Sequence, residues 1–195
     1  NFDGFYGASA AQIIPAPVED VIRVFQNRTR IDGLENKIAS FKDVEFLQGN
    51  PQSSYDVRFR FNTFSDELKL WVTNHFEIFE HTDDSNVTHQ IVFWRQKDQG
   101  SSTFKRGPQG LSQVAVHQNA GIIIISPLND SESLASLYGF QWVNDELILT
   151  LMENASGNLL NPLNYIDQNQ AKNYMQNLTR DNYSGFIRLL RDEFR

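Results

Sequence analysis

Six polar residues interrupt stretches that otherwise alternate apolar side chains: Tyr55, Asn74, His89, Arg95, Tyr138 and Asn182. A polar group buried without a partner costs a few kcal/mol, so each must pair with something. The partner is backbone, water, another side chain, or the carbonyl, hydroxyl or carboxylate of a ligand. Arg95 is the most demanding. On the same strand face as His89, Ile91 and Phe93 it needs an anion, and that face offers no Asp or Glu. His89, Tyr55 and Tyr138 could perform general acid–base work if burial shifts their pKa values. His89 is the candidate catalytic residue should the protein be an enzyme.

Other chemistries find little support. There is no cysteine, which removes disulfides and thiolate ligands. His75, Glu77 and His81 share a strand face, but their spacing spreads them over about 20 Å. A metal needs its ligands within about 2 Å, so no metal site is expected. No Gly-x-Ser-x-Gly elbow, Gly-x-Gly-x-x-Gly loop or Walker loop is present, and no cofactor is expected. A net charge of −7 disfavours nucleic acid and anionic membrane surfaces as partners. The longest aliphatic run, Ile122 to Ile125, is far short of the roughly 20 residues of a transmembrane helix.

The elements that must position these residues are mostly strands. Phe2 to Ile14 reads as the first, closed by Pro15. Pro17 suits a first helical position. Val18, Val21, Ile22 and Phe25 then follow at helical spacing, with Glu19 and Asp20 in the first turn. A second short helix is expected over Thr29 to Leu34. Strands follow at Ile38–Leu47, Tyr55–Phe61, Leu68–Phe79 and Val87–Arg95. In the second of these, Tyr55, Val57, Phe59 and Phe61 oppose Asp56, Arg58 and Arg60, the mark of a half-buried sheet. Turns are expected at Ser65–Asp66 and Asp83–Asn86. Lys97 to Gly110 reads as a long mobile loop. Val114–Ile125, with Gly121 as a bulge, and Leu134–Val143 are the last strands. Glu146–Met152 is ambiguous, and Asn154–Asn164 reads as a loop.

Asp167 to Phe194 reads as one long amphipathic helix of about 37 Å. Its apolar stripe is Met175, Leu178, Asn182, Phe186 and Leu189, with Leu190 and Phe194 adjoining. The simplest way to bury that stripe is a curved antiparallel sheet of six to seven strands wrapped around it, an α+β architecture. Fifteen Phe side chains do not all interdigitate without gaps, and a cavity is expected between helix and sheet. Its expected lining is Tyr55, Phe59 and Phe61; Asn74 and Phe76; His89, Phe93 and Arg95; Tyr138, Phe140 and Trp142; and Met175, Leu178, Asn182 and Phe186. Trp71, His75 and Phe79 fall on the opposite face. They are either a contact between two copies of the chain or a patch covered by the short helices.

The element order resembles the START-like superfamily, also called SRPBCC, over nearly the whole chain. Ile14-Pro15-Ala16-Pro17-Val18-Glu19-Asp20-Val21-Ile22 is similar to the segment that leads into the family's first helix. Asn182-Tyr183-Ser184-Gly185-Phe186-Ile187-Arg188-Leu189-Leu190 resembles its closing helix. The family's Tyr/Pro/Trp cluster is replaced here by Arg30-Ile31-Asp32-Gly33-Leu34. The resemblance implies one helix-grip domain over 1–195 with an internal cavity. The function expected is binding or transport of a hydrophobic small molecule such as a lipid, polyketide or isoprenoid pigment. Alternatives are a polyketide cyclase or aromatase using acid–base residues of the same cavity, and a protein-interaction module. Whether chemistry is done stays open. For localisation, the lack of cysteine and of a visible signal peptide favours the cytoplasm. Six Asn-X-Ser/Thr sites in an Asn-rich chain, and a first residue that is not Met, point toward secretion instead.

Overall fold

The structure is a computed structural model that describes residues 4–33, 41–61, 68–98, 101–106, 110–144, 146–148 and 168–195. The strands are β1 (Gly4–Ile14), β2 (Phe41–Asn50), β3 (Ser54–Phe61), β4 (Leu68–Thr82), β5 (Thr88–Gln96), β6 (Ser102–Arg106), β7 (Gln113–Val114), β8 (Val116–Asn129) and β9 (Glu132–Val143). The helices are α1 (Val18–Phe25), α2 (Arg28–Asp32) and the terminal α3 (Gln168–Asp192). The expected turn at Ser65–Asp66 and loop at Asn154–Asn164 lie outside the described residues, while Glu146–Ile148 is helical.

The strands form one antiparallel sheet in the order β1-β9-β8-β5-β4-β3-β2, with β6 continuing along β4 and carrying β7. Bulges in β2 and β8 add local twist and help the sheet curve. Two expectations are corrected. Lys97–Gly110 is not a loop throughout, because Ser102–Arg106 is hydrogen-bonded to β4. Gly121 is not a bulge either, since it pairs in register with Trp94 and with Gly139.

α1 forms because Val18, Val21, Ile22 and Phe25 fall on one side, all buried, with Glu19 and Asp20 at its positive end. Pro17 stands just before its first turn, and the Pro17 carbonyl accepts from Asp20 and Val21. Asn27 starts α2 by accepting from the Thr29 and Arg30 amides. Both helices pack on the inner face, where Phe25 and Ile31 join Ile78, Val92, Ile123 and Ile125 in one apolar cluster. They therefore do not cover Trp71, His75 and Phe79, and Phe79 is 46% exposed.

α3 also lies on the inner side, against β1. Ala8 and Ala10, paired with Gly139 and Leu137, give it a low surface to approach, and Gln176 donates to the Gly7 carbonyl at 2.8 Å. Its buried line is Met175, Thr179, Ile187 and Leu190. That is rotated from the expected stripe, bringing in Thr179, Tyr183 and Ile187. A second cluster of Tyr6, Leu70, Val72, Phe104, Val143 and Met175 closes the other end of the molecule, and Phe61 packs against both clusters.

Hydrogen-bonding register fixes which side chains face inward, and it reverses two expectations. Phe76 pairs with Trp94, Trp94 with Gly121, and Gly121 with Gly139. Side chains opposite one another share a face. Trp94, Asn119, Ile123, Leu137 and Gln141 are therefore inner. His89, Phe93, Arg95, Tyr138, Phe140 and Trp142 are outer.

The outer face carries one tightly bonded carboxylate. Asp56 is 3% exposed. It accepts from Lys97 Nζ at 2.7 Å, Gln48 Nε2 at 2.7 Å and His75 Nδ1 at 2.8 Å. Burial opposes its charge, but the bonds from Lys97, His75 and Gln48 outweigh this and hold its pKa below the usual carboxylate value. A depressed folded pKa stabilises above the unfolded value of about 3.9, and the gain is lost as pH falls through the folded pKa. Asp56→Asn is expected to cost about 2 kcal/mol at neutral pH. Urea unfolding at a series of pH values should show the gap to wild type closing in acid. A constant gap would refute the assignment.

Candidate functional site

Between the inner face and α3 lies a cavity of about 110 Å³. Phe41, Phe59, Phe61, Phe76 and Trp94 supply one aromatic wall, Ile123 and Leu137 the floor, and Tyr183 and Phe186 the roof. The aromatic side chains hold each other: Phe59 lies 6.1 Å from Phe76, Phe76 6.4 Å from Trp94, and Trp94 6.2 Å from Tyr183 edge-on. Two missing side chains make this packing possible. Trp94 lies against Gly121 and Tyr183 against Gly139.

Five neutral polar groups interrupt the apolar lining: Asn74, Asn119, Gln141, Thr179 and Asn182. Trp94 Nε1 donates to Asn119 Oδ1 at 3.4 Å, and Asn119 Nδ2 donates to Asn74 Oδ1 at 3.3 Å. Gln141 Nε2 donates to Thr179 Oγ1 at 2.7 Å, which itself donates to the Met175 carbonyl at 2.8 Å. Among the described residues, the Asn182 amide and the Tyr183 hydroxyl have no hydrogen-bond partner. Burial pushes the Tyr183 phenol well above its ordinary pKa, so it stays protonated and acts as a donor or acceptor. No Asp, Glu, Lys, Arg, His or Cys is among the described lining residues. The site can recognise carbonyl and hydroxyl oxygens, and its described lining offers no side chain that exchanges protons near neutral pH.

Of the residues expected to line the cavity, Phe59, Phe61, Asn74, Phe76, Asn182 and Phe186 do so. Tyr55 is inward but lies behind the wall, stacked 5.3 Å from Phe76, and its hydroxyl donates to the Phe25 carbonyl at 2.9 Å. Met175 and Leu178 belong to the second apolar cluster. His89 is on the outer face, 2.8 Å from Ser126 Oγ and 3.3 Å from Asp83 Oδ2. Phe93, Arg95, Tyr138, Phe140 and Trp142 share that face. Phe41, Trp94, Asn119, Ile123, Leu137, Gln141, Thr179 and Tyr183 are the additions. The amides Asn119 and Gln141 within apolar strands were the available signal.

Among the described residues no helix is long and apolar enough to cross a membrane. No family model matches the sequence, and a search of characterised proteins gives no match. Solved structures do match. The ZhuI aromatase/cyclase from Streptomyces is 13% identical with a TM-score of 0.60, over 97% of this chain and 93% of that one. A STAR-related lipid transfer protein from Xanthomonas axonopodis is 10% identical with a TM-score of 0.56, over 97% and 85%. The lipid transfer and protein localization domain of human StarD13 is 10% identical with a TM-score of 0.52, over 100% and 79%. The curved antiparallel sheet, the long closing helix and these likenesses together establish that this chain has the START-like helix-grip fold.

Proposed function

We propose that this protein binds and carries an uncharged apolar small molecule between its sheet and α3. The observation that carries the reading is the lining: aromatic and aliphatic walls, neutral amides and hydroxyls, and no charge among the described residues. A carboxylate or phosphate placed there would lose its hydration with no cation among the described lining residues to meet it. A neutral ketone or alcohol has Asn74, Asn182 and Tyr183 to bond. The fold's lipid-transfer and cyclase neighbours support a hydrophobic occupant.

The volume narrows the class. An apolar cavity of about 150 Å³ accepts benzene, and drug-sized pockets run to about 300–1,000 Å³. At about 110 Å³ the preformed space suits a single ring or a short branched chain. A whole lipid, polyketide or isoprenoid pigment enters only if Phe59, Phe76 or Phe186 swings aside. His89, the acid–base candidate of the cyclase alternative, sits on the far side of the sheet and does not reach the cavity.

Native mass spectrometry of the protein as isolated tests this. An extractable neutral compound in one-to-one ratio is the expected result. Acetophenone, a neutral ring with one carbonyl, should raise the melting temperature. Protein that is empty and unmoved by acetophenone would overturn the reading.

A further inference from the structure

Arg95, Phe140 and Trp142 do come together, on the outer face. With His117, Gln118 and Ala120 they line a hollow of about 370 Å³, more than three times the inner cavity. The register explains the hollow. Arg95 pairs with Ala120, and Ala120 with Phe140, so the three lie in a row across β5, β8 and β9. The Ala120 methyl is the low point between two long side chains. Strands are spaced by 4.7–4.9 Å, so about 10 Å separates the backbones that carry Arg95 and Phe140. The aromatic end is braced: the His117 ring lies 4.9 Å from Trp142, and Phe5 lies 5.5 Å from Trp142 and 5.9 Å from Phe140.

The charged end is loosely paired. The Arg95 side chain is 56% exposed, and the Glu77 carboxylate lies 3.9 Å from it. That is beyond hydrogen-bond reach and leaves the planar guanidinium fork open. We propose that this hollow is a second binding site, for a small aromatic carboxylate. The ring rests on Ala120 against Phe140 and Trp142, and the carboxylate takes a two-pronged bond from Arg95. A cation is opposed by Arg95, and a neutral ring leaves the guanidinium unmatched. Asp98, three residues beyond Arg95, also lines the hollow, and its charge works against an anion there, so the Arg95 bond must outweigh it. Asn119 lines both spaces, but Arg95, Ala120, Phe140 and Trp142 line only the outer one, so variants at Arg95 and Ala120 test this site apart from the cavity.

Titrating 2-naphthoate into the full chain, followed by tryptophan fluorescence and equilibrium dialysis, tests the proposal. One saturable site is expected. Arg95→Gln should weaken it about tenfold, the worth of the charge-assisted pair. Ala120→Leu should abolish it by filling the floor, with the melting temperature kept in both. The neutral analogue 2-acetonaphthone should not distinguish Arg95→Gln from wild type. Equal affinity for 2-naphthoate in all three proteins, or no saturable binding to wild type, overturns the proposal.

Discussion

Gly121→Ala is expected to destabilise the protein by about 3 kcal/mol and to lower its melting temperature by about 10 °C. The added methyl would overlap the Trp94 ring, and it would lie 2.6 Å from the Tyr138 carbonyl oxygen. Trp94 is 6% exposed and hemmed in by Phe76 and Tyr183, so it has nowhere to retreat except into the cavity. The Tyr138 carbonyl belongs to the next strand and moves only if the β8–β9 pairing moves. Gly139→Ala is the matched control. The three atoms nearest its methyl all belong to the Tyr183 ring and hydroxyl, from 2.7 Å, at the far end of a side chain on α3. Tyr183 is half-buried and can swing, so the cost there should be smaller. Thermal and urea unfolding of both variants decides the matter. Equal and small effects would show that Trp94 does not rest on Gly121.

The two glycines also show why part of the site was hidden in the sequence. β3 was legible because Arg58 and Arg60 mark its outer face, where they meet Glu45 and Asp43 on β2. β5 was not. Ile91-Val92-Phe93-Trp94 is apolar on both faces, so alternation carries no information about which side is in. In β9 the usual preference for bulky apolar side chains inside points the wrong way. Its inner positions are Leu137, Gly139 and Gln141, because Tyr183 must fit against them, while Tyr138, Phe140 and Trp142 stand outside. A one-residue change of parity moves every side chain of a strand to the other face. That is why His89 and Arg95 left the cavity together. The order of elements apart from β6 and β7, and the inner faces of β3 and β4, were available from patterning, while the START-like fold was reached through the resemblance of particular segments. α3 was legible as a helix, but its phase was not. Met175, Leu178, Asn182 and Phe186 repeat as well as Met175, Thr179, Tyr183 and Ile187. Only the close approach to Gly139 and β1 selects the second line.

Trp94→Ala is expected to cost about 4 kcal/mol, as removal of a buried aromatic side chain does. The corresponding fall in melting temperature is about 12 °C. Its second consequence is the more telling one. The vacated indole volume opens directly into the existing cavity, because Trp94 is part of the wall. Free indole should therefore bind the variant in the place of the lost ring. It would lie over Gly121 with its N–H toward Asn119 Oδ1, the acceptor that Trp94 uses now. Ligand that binds only the folded state stabilises by about 2.7 kcal/mol at roughly a hundredfold excess over Kd. More than half of the lost stability should return. N-methylindole, which lacks the donor, should bind a few-fold more weakly, since a neutral hydrogen bond contributes about 1 kcal/mol. Wild type, with Trp94 in place, has only the existing cavity to offer and should be stabilised less by indole at the same concentration. If indole fails to stabilise the variant, the space beside Trp94 has collapsed. A hollow that side chains close so readily would not hold a carried molecule in place.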